Sequence, residues 1–239
     1  MPNPPREVIV PLDFPAKPDA LRFLDLFADA GERPFVKIGM ELFYAEGPSI
    51  VNEAASRGLR VFLDLKVCDI PNTARGAMAS LAGLPIDMVN CHALGGLDMM
   101  RRAREGLDSR GGRRPLLLGV TILTSIDNAR LNNELGIGGG VGAAVVKLAG
   151  LAKEAGLDGV VCAPGESMLI HQTCGSDFVT ITPGVRFPDE AIDDQHRVVG
   201  PDDARRFGCN YIVVGRPINR AVDPVSAYRR YVRAFAGKD

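Results

Sequence analysis

Paired cysteines, a long apolar run and an excess of either charge are all missing from this chain, and each absence removes a class of function. Its five cysteines (Cys68, Cys91, Cys162, Cys174 and Cys209) are scattered and odd in number, with no Cys-x-x-Cys pair. That pattern suits reduced thiols in a cytosolic protein and argues against a disulfide framework or a zinc site. No apolar run approaches the ~18 residues of a membrane span. The opening Met1-Pro-Asn-Pro-Pro-Arg6 lacks the apolar core of an export signal, so a cytoplasmic location is expected. Lys plus Arg number 28 against 29 Asp plus Glu, a net charge of −1, which gives no electrostatic drive toward nucleic acid or an anionic membrane. Basic pairs such as Arg101-Arg102, Arg113-Arg114 and Arg229-Arg230 are short and dispersed and read as solvated faces.

What is present is a rhythm. Apolar runs recur at Val8–Asp13, Phe35–Gly39, Arg60–Lys66, Met88–His92, Leu116–Leu123, Gly159–Ala163, Phe178–Pro183 and Tyr211–Gly215, rich in Val, Ile, Leu and Phe. Parallel strands covered on both faces have that composition. Helical stretches lie between them, punctuated by Pro18-Asp19 and Gly31, Pro48 and Gly58, Pro201 and Gly208, and a last helix from Pro224 through Phe235. Strand and helix alternating eight times predict one (β/α)₈ TIM barrel spanning residues 1–239, with its core at about 8–235. A doubly wound open sheet is the alternative, but strand one ends in Leu12-Asp13-Phe14-Pro15, without the glycine-rich turn of a dinucleotide site. The glycines of Gly136-Ile-Gly-Gly-Gly-Val-Gly142 imitate a phosphate loop, yet no strand leads directly into them and no Lys-Ser/Thr follows. They read as a connection after strand five.

The segment Val61-Phe-Leu-Asp-Leu-Lys-Val-Cys-Asp-Ile-Pro-Asn-Thr73 is the most informative. On the two-residue period of a strand Asp64 and Lys66 share a face, about 7 Å apart along it. An acid and an amine in a strand otherwise built for burial are costly to desolvate even as a pair. Asp69 follows on the exit loop, where Pro71 turns Ile70 away from helical geometry. A structural ion pair at a strand end is the plain alternative; charges alternating in sign at a strand's exit point to a site. Cys68 lies within it but has no neighbouring base to activate it.

Catalytic groups of such barrels sit at the carboxyl ends of strands, and phosphate commonly binds after strands seven and eight. Here Asp13 ends strand one, and Lys37 faces opposite to Val36 and Ile38 on strand two, into the barrel. Thr124 and Ser125 end strand five, Thr182-Pro-Gly-Val-Arg186 leaves strand seven, and Val214-Gly-Arg-Pro217 leaves strand eight. Gly215 permits close backbone approach to a phosphate, and the Arg216 guanidinium can bind one bidentately. His92, beside Asn90 at the end of strand four, reads as a buried, hydrogen-bonded histidine rather than a substrate contact, while His171 and His196 look peripheral.

These residues resemble a known family. Leu12-Asp13-Phe14, Phe35-Val-Lys-Ile-Gly-Met-Glu-Leu-Phe43, Phe62 through Thr73, Val120-Thr-Ile-Leu-Thr-Ser125, Thr182 through Arg186, Asp194-Gln195 and Val213-Val-Gly-Arg216 are similar, in order and spacing, to the bacterial-type orotidine 5′-phosphate decarboxylases. The resemblance runs from about residue 8 to residue 230. It implies a phosphate-binding barrel that converts orotidine 5′-phosphate to UMP and CO₂ in pyrimidine biosynthesis, a lyase needing no cofactor and no metal. It further implies a homodimer in which Asp69, Ile70 and Thr73 reach the neighbouring site. By the same resemblance Lys66 donates the proton, Asp64 lies beside the departing carboxylate, Asp69 completes the charge row, and Lys37 holds Asp64 and a ribose hydroxyl. Asp13 then binds ribose and Thr124 lies near the pyrimidine, with Pro183 also lining the substrate site. Arg186, Gln195, Gly215 and Arg216 are placed toward the phosphate.

Two other functions are compatible with parts of the pattern. Magnesium-dependent sugar-phosphate lyases related to the keto-gulonate phosphate decarboxylases share Asp64-x-Lys66-x-x-Asp69 but carry an acidic metal ligand on strand two. Lys37 stands in that place, and a cation there opposes Mg²⁺. A non-catalytic sensor of phosphate ligands would need no Lys66 between its two acids.

Overall fold

Along each strand alternate residues bury against two different cores, which is why the strands read as near-continuous apolar runs rather than as alternation. The structure is a computed structural model that describes residues 6–190 and 198–237. In chain order its first half comprises β1 (Glu7–Pro11), α1 (Lys17–Asp29), β2 (Phe35–Gly39), α2 (Met40–Glu46), α3 (Pro48–Ser56), β3 (Val61–Val67), α4 (Pro71–Leu81), β4 (Met88–His92) and α5 (Gly96–Asp108). The second half comprises β5 (Leu116–Val120), α6 (Asn128–Asn133), α7 (Val141–Glu154), β6 (Gly159–Val161), α8 (Ser167–Cys174), β7 (Val179–Pro183), α9 (Pro201–Arg206), β8 (Tyr211–Val213), α10 (Arg216–Asn219) and α11 (Pro224–Ala236). The strands pair in sequence order, all parallel, and β1 closes on β8. This is the (β/α)₈ barrel that the alternation of runs and helices predicts.

Inside the lower barrel Ile9, Phe35, Phe62, Met88, Leu118, Ile181 and Tyr211 interdigitate. Outward-facing Val36, Ile38, Val61 and Leu63 pack instead on α1, α3 and α11 through Phe27, Ile50, Val51 and Phe235. A second outer core gathers Val89, Cys91, Leu117 and Val160 against Met78, Met99, Ala103 and Val145. Lys37 lies between outward Val36 and Ile38, so its side chain is directed into the barrel, as its position in the run requires.

Polar side chains at the amino ends of the strands terminate the sheet. Asp87 accepts the Val61 N–H at 3.0 Å and Asp158 the Leu117 N–H at 2.8 Å, while the Asn210 side chain accepts the Thr180 N–H at 2.9 Å. Arg114 clasps Asp158 through two bonds of 2.6 and 2.7 Å. These charges close the bottom of the barrel and leave the chemistry to the other end.

Several strands stop short of the apolar runs that predict them. β1 ends at Pro11 rather than Asp13, β5 at Val120 rather than Leu123, β6 at Val161 and β8 at Val213, whereas β3 continues to Val67. At the top of β5 the Thr121 N–H and hydroxyl both turn onto the Val161 carbonyl, at 3.2 and 2.9 Å, and the ladder goes no further. Asp13, Thr124, Ser125 and Arg216 therefore sit on loops or helix starts just beyond the sheet. The Gly136–Gly142 segment runs from the connection after α6 into the first turn of α7, with Gly136 and Gly139 at φ of 65° and 97°. No helix among the described residues is long and apolar enough to cross a membrane.

The loop after β3 is held by α4, and α4 by its contact with α5. A Cβ on Gly106 would stand 2.1 Å from the Arg75 carbonyl oxygen, so the two helices meet backbone to backbone. Gly106→Ala should force them apart and lower stability by about 2 kcal/mol in urea unfolding, overpacking outweighing the gain in helix propensity. A variant as stable as its parent would mean that this helix pair has room to relax.

Candidate active site

The upper part of β3 is not a regular strand. Its pairing with β4 passes from Leu63↔Val89 to Val67↔Cys91, so β3 advances four residues while β4 advances two. Within that irregularity Lys66 adopts φ of +52°, the only positive φ at a non-glycine residue among those described. A side chain in the left-handed region costs about 1–2 kcal/mol. The Lys66 N–H leaves the ladder and donates to the Asn90 side-chain oxygen at 2.7 Å. The bulge aims the ammonium back down β3, where Nζ donates to Asp64 Oδ1 at 2.7 Å.

Asp64 is the centre of this cluster. Besides Lys66, its Oδ1 accepts from Asn90 Nδ2 at 2.7 Å, and its Oδ2 lies 3.3 Å from Lys37 Nζ. Lys37 in turn reaches Asp13 Oδ1 at 3.3 Å. Burial opposes ionisation of Asp64, but Lys37, Lys66 and Asn90 more than offset it and hold the carboxyl below the usual carboxylate range. Burial likewise opposes the charge on Lys37, and Asp64 and then Asp13 overcome it, so this ammonium is held above the ordinary lysine value. The result is a row Asp13–Lys37–Asp64–Lys66 in which Lys37 and Asp64 hold each other in their charged forms. Gly39 leaves space for it, since a Cβ there would come within 3.1 Å of Lys37 Nζ.

The row runs along the walls of two adjoining cavities at the carboxyl ends of the strands. The first, about 280 Å³, is lined by Lys37, Asp64, Lys66, Thr124 and Ser125 and by the apolar side chains Phe62, Val120, Ile122, Val161 and Val213. The second, about 190 Å³, is lined by Asp13, Arg186, Gly215 and Arg216. Lys37, Pro183 and Val213 border both. One cavity thus offers apolar walls with an acid–ammonium pair, and the other two guanidinium groups beside a carboxylate. A flat ring with an anionic tail matches that division. A wider, open hollow of about 720 Å³ beside α9 is bordered by the exposed charges of Arg6, Asp202, Arg205 and Arg206 and holds no comparable buried set.

The loop beneath Arg186 is tied down at its base. The Arg186 N–H donates to the Val199 carbonyl at 3.0 Å, and the Val199 N–H to Gly184 at 3.2 Å. Arg230 binds Asp189 and lies 3.7 Å over the Phe187 ring, and the buried Tyr231 hydroxyl donates to Glu190. Gln195 and Asp194, like His196, lie outside the described residues.

Not every residue singled out in the sequence joins this cluster. Asp69 is exposed, and its carboxylate accepts the adjacent Ile70 N–H at 2.7 Å. Asp69 makes no ion pair with Lys66 in the chain, and neither it nor Cys68 borders either cavity. Ile70, on the loop after β3, is 68% exposed, and Thr73, in the first turn of α4, is also exposed. His92 differs from the hydrogen-bonded histidine expected from the sequence: its Nδ1 is buried without a hydrogen-bond partner. Burial and then the Lys66 charge hold its pKa below the ordinary histidine value. His171, on α8, borders neither cavity. The residue pattern does not mark Asn90 or Gly39 as site residues; a lone amide in the run Met88-Val-Asn-Cys-His92 is the available signal for the first.

Comparison with known proteins gives a consistent result. Residues 6–231 match the family described as orotidine 5′-phosphate decarboxylase / HUMPS. An orotidine 5′-phosphate decarboxylase of Bacillus cereus is 48% identical over 235 residues, covering 97% of this chain and 98% of that protein. One of Bacillus anthracis is also 48% identical with the same coverage. The crystal structure of orotidine 5′-phosphate decarboxylase from Lactobacillus acidophilus superposes with a TM-score of 0.85 at 39% identity, over 96% of this chain and 99% of that one. An uncharacterized conserved protein from Geobacillus kaustophilus superposes with a TM-score of 0.84 at 45% identity, over 95% and 99% of the two chains.

The depressed pKa of Asp64 ties stability to pH. Asp64→Asn leaves two half-buried or buried ammonium groups without their carboxylate and should cost about 3 kcal/mol at neutral pH. The contribution of a carboxyl whose folded pKa is lowered is complete above the unfolded value and fades as pH falls through the folded one. The gap between parent and variant in urea unfolding should therefore begin to close below the ordinary value of 3.8. A gap that is absent at neutral pH, or that widens toward about pH 3, would contradict this assignment.

Proposed function

The chain belongs to the orotidine 5′-phosphate decarboxylase / HUMPS family, and from that membership we propose that it converts orotidine 5′-phosphate to UMP and CO₂, the last step of de novo pyrimidine synthesis. The observation that carries the mechanism is the 2.7 Å bond between Lys66 Nζ and Asp64 on the wall of a mainly apolar cavity.

Breaking the bond between the ring and its carboxylate leaves an electron pair on a ring carbon with no neighbouring electron sink. A fixed ammonium beside that carbon stabilises the developing charge and then transfers its proton to it. Lys66 takes that role, its ammonium held by the Asp64 carboxylate at 2.7 Å. Asp64 also repels the substrate carboxylate and so favours departure of CO₂. Lys37 keeps Asp64 ionised and, with Asp13, binds the ribose hydroxyls. Thr124 and Pro183 flank the pyrimidine, and Arg186, Gln195, Gly215 and Arg216 hold the phosphate, whose remote binding energy serves the reacting centre. No metal or cofactor enters this scheme; where a divalent ion would want an oxygen ligand, Lys37 presents an ammonium 3.3 Å from Asp64.

The remaining parts of the proposal concern assembly and setting. Asp69 and Ile70 on the exit loop and Thr73 in the first turn of α4 are exposed and border neither cavity of their own chain, a disposition suited to completing the site of a second copy in a two-fold dimer. The enzyme works as one domain over residues 1–239 in the cytoplasm.

Lys66→Ala should lower kcat by more than about 100-fold while UMP binds within a few-fold of the parent value, because the ammonium acts on charge formed in the transition state. Loss of pyrimidine absorbance measures turnover, and residual activity above about a hundredth of the parent would remove Lys66 from this role. For the shared site, Lys66→Ala and Asp69→Ala chains should each be nearly inactive, yet regain up to about half of the activity per heterodimer when refolded together. One of the two sites would then hold both lesions and the other neither. Heterodimers as inactive as their parents would place Asp69 in the service of its own chain.

A further inference from the structure

We infer that Asn90 is a positioning residue for the decarboxylation, its carboxamide holding the Lys66 backbone in its left-handed turn and the Asp64 carboxylate against the Lys66 ammonium at the same time. The catalytic part of this inference rests on the function proposed above; the structural part rests on the hydrogen bonds alone.

Asn90 is fully buried in the middle of β4, between the outward-packed Val89 and Cys91. An amide in such a place is costly unless its polar atoms are bonded. Here both ends are used, the oxygen by the Lys66 N–H and the nitrogen by Asp64 Oδ1, each at 2.7 Å. The orientation is dictated chemically, since a backbone N–H can only donate and an ionised carboxylate can only accept. A reversed amide would oppose donor to donor and acceptor to acceptor. With the bond from Lys66 Nζ to Asp64 Oδ1, the contacts close a ring that runs from the Lys66 backbone through Asn90 and Asp64 to the Lys66 side chain.

Alternatives at this position fail for separate reasons. Leucine of similar volume offers no acceptor to an N–H already removed from the ladder. Aspartate keeps the acceptor but sets a second negative charge within hydrogen-bond distance of Asp64. Glutamine is one methylene too long for a strand position whose two partners are already at contact. The charged and titratable groups facing Asp64 are Lys37 from β2 and Lys66 from β3, with Asp13 behind Lys37 and His92 at the end of β4 near Lys66.

The test compares parent, Asn90→Ala and the isosteric Asn90→Asp in steady-state turnover of orotidine 5′-phosphate across pH, alongside UMP affinity and crystal structures. Asn90→Ala should lose kcat by about 10- to 100-fold, as a misplaced reacting group does, with KM and UMP affinity within about threefold of the parent. Asn90→Asp should shift the acid limb of kcat/KM upward by roughly one pH unit, because Asp64 then holds its charge beside a like charge. In the Asn90→Ala structure Lys66 should leave the left-handed region or lose its bond to Asp64. Variants with parental kcat and an unmoved pH profile would overturn the inference, as would an Asn90→Ala structure in which Lys66 keeps both features. Failure of the parent itself to turn over the substrate would strike the proposed function instead, and the crystal structures would still decide whether Asn90 holds the turn.

Discussion

Asp64 has two oxygens and three strong donors, Lys37, Lys66 and Asn90, each from a different strand. Burying a carboxylate is unfavourable, and only such a set of partners makes it tolerable. Remove the carboxylate and two ammonium groups repel each other inside an apolar cavity, while the Asn90 amide loses one of its partners. The constraint also works outward. Lys37 can extend into the barrel only because Asp64 and Asp13 receive it, and Lys66 can occupy an unfavourable backbone conformation only because its N–H and its ammonium are both bonded. β2, β3 and β4 are thus registered at their upper ends by charge as well as by backbone pairing.

The two ends of the barrel use similar residues to opposite effect. At the bottom Asp87 and Asp158 each satisfy a strand N–H and an arginine, so their charges are consumed in closing the sheet. At the top the charges line two cavities and leave room between them. A cavity with apolar walls keeps the local dielectric low, which makes a fixed ammonium more effective toward developing negative charge than it would be in water. The guanidinium groups of Arg186 and Arg216 border the second cavity, away from the acid–ammonium pair. Binding energy gathered there can orient a ring in the first cavity without touching the bond that breaks.

Much of this was legible in the sequence because burial makes charge conspicuous. Asp64 and Lys66 stand out in Val61–Val67 since everything around them is apolar, and Lys37 stands out between Val36 and Ile38 for the same reason. The barrel followed from the regular exchange of strand-like and helix-like runs. What the sequence did not reveal depends on backbone geometry. A period-two reading places Asp64 and Lys66 on one face but does not foresee a bulge, because nothing in the residue types marks a lysine at φ of +52°. The apolar runs overshoot the strand ends where residues such as Ile122 continue past the ladder to line the cavity. Asn90 carries no distinctive signal, since a single amide in an apolar strand has many structural explanations. His92 itself proved unpartnered at Nδ1, which no residue pattern could disclose.

The two additional residues that β3 carries opposite β4 have an implication for how errors would show themselves. A chain that paired these strands without the offset would still close a barrel, with both outer cores filled and every helix in place. Its spectrum, its compactness and its melting would resemble those of the native protein. Yet the Lys66 N–H would stay in the ladder instead of reaching the Asn90 oxygen, and the ammonium would no longer be turned back onto Asp64. Correct folding and a competent site are therefore separable quantities here, distinguished by one local slip that bulk measurements of structure would not register.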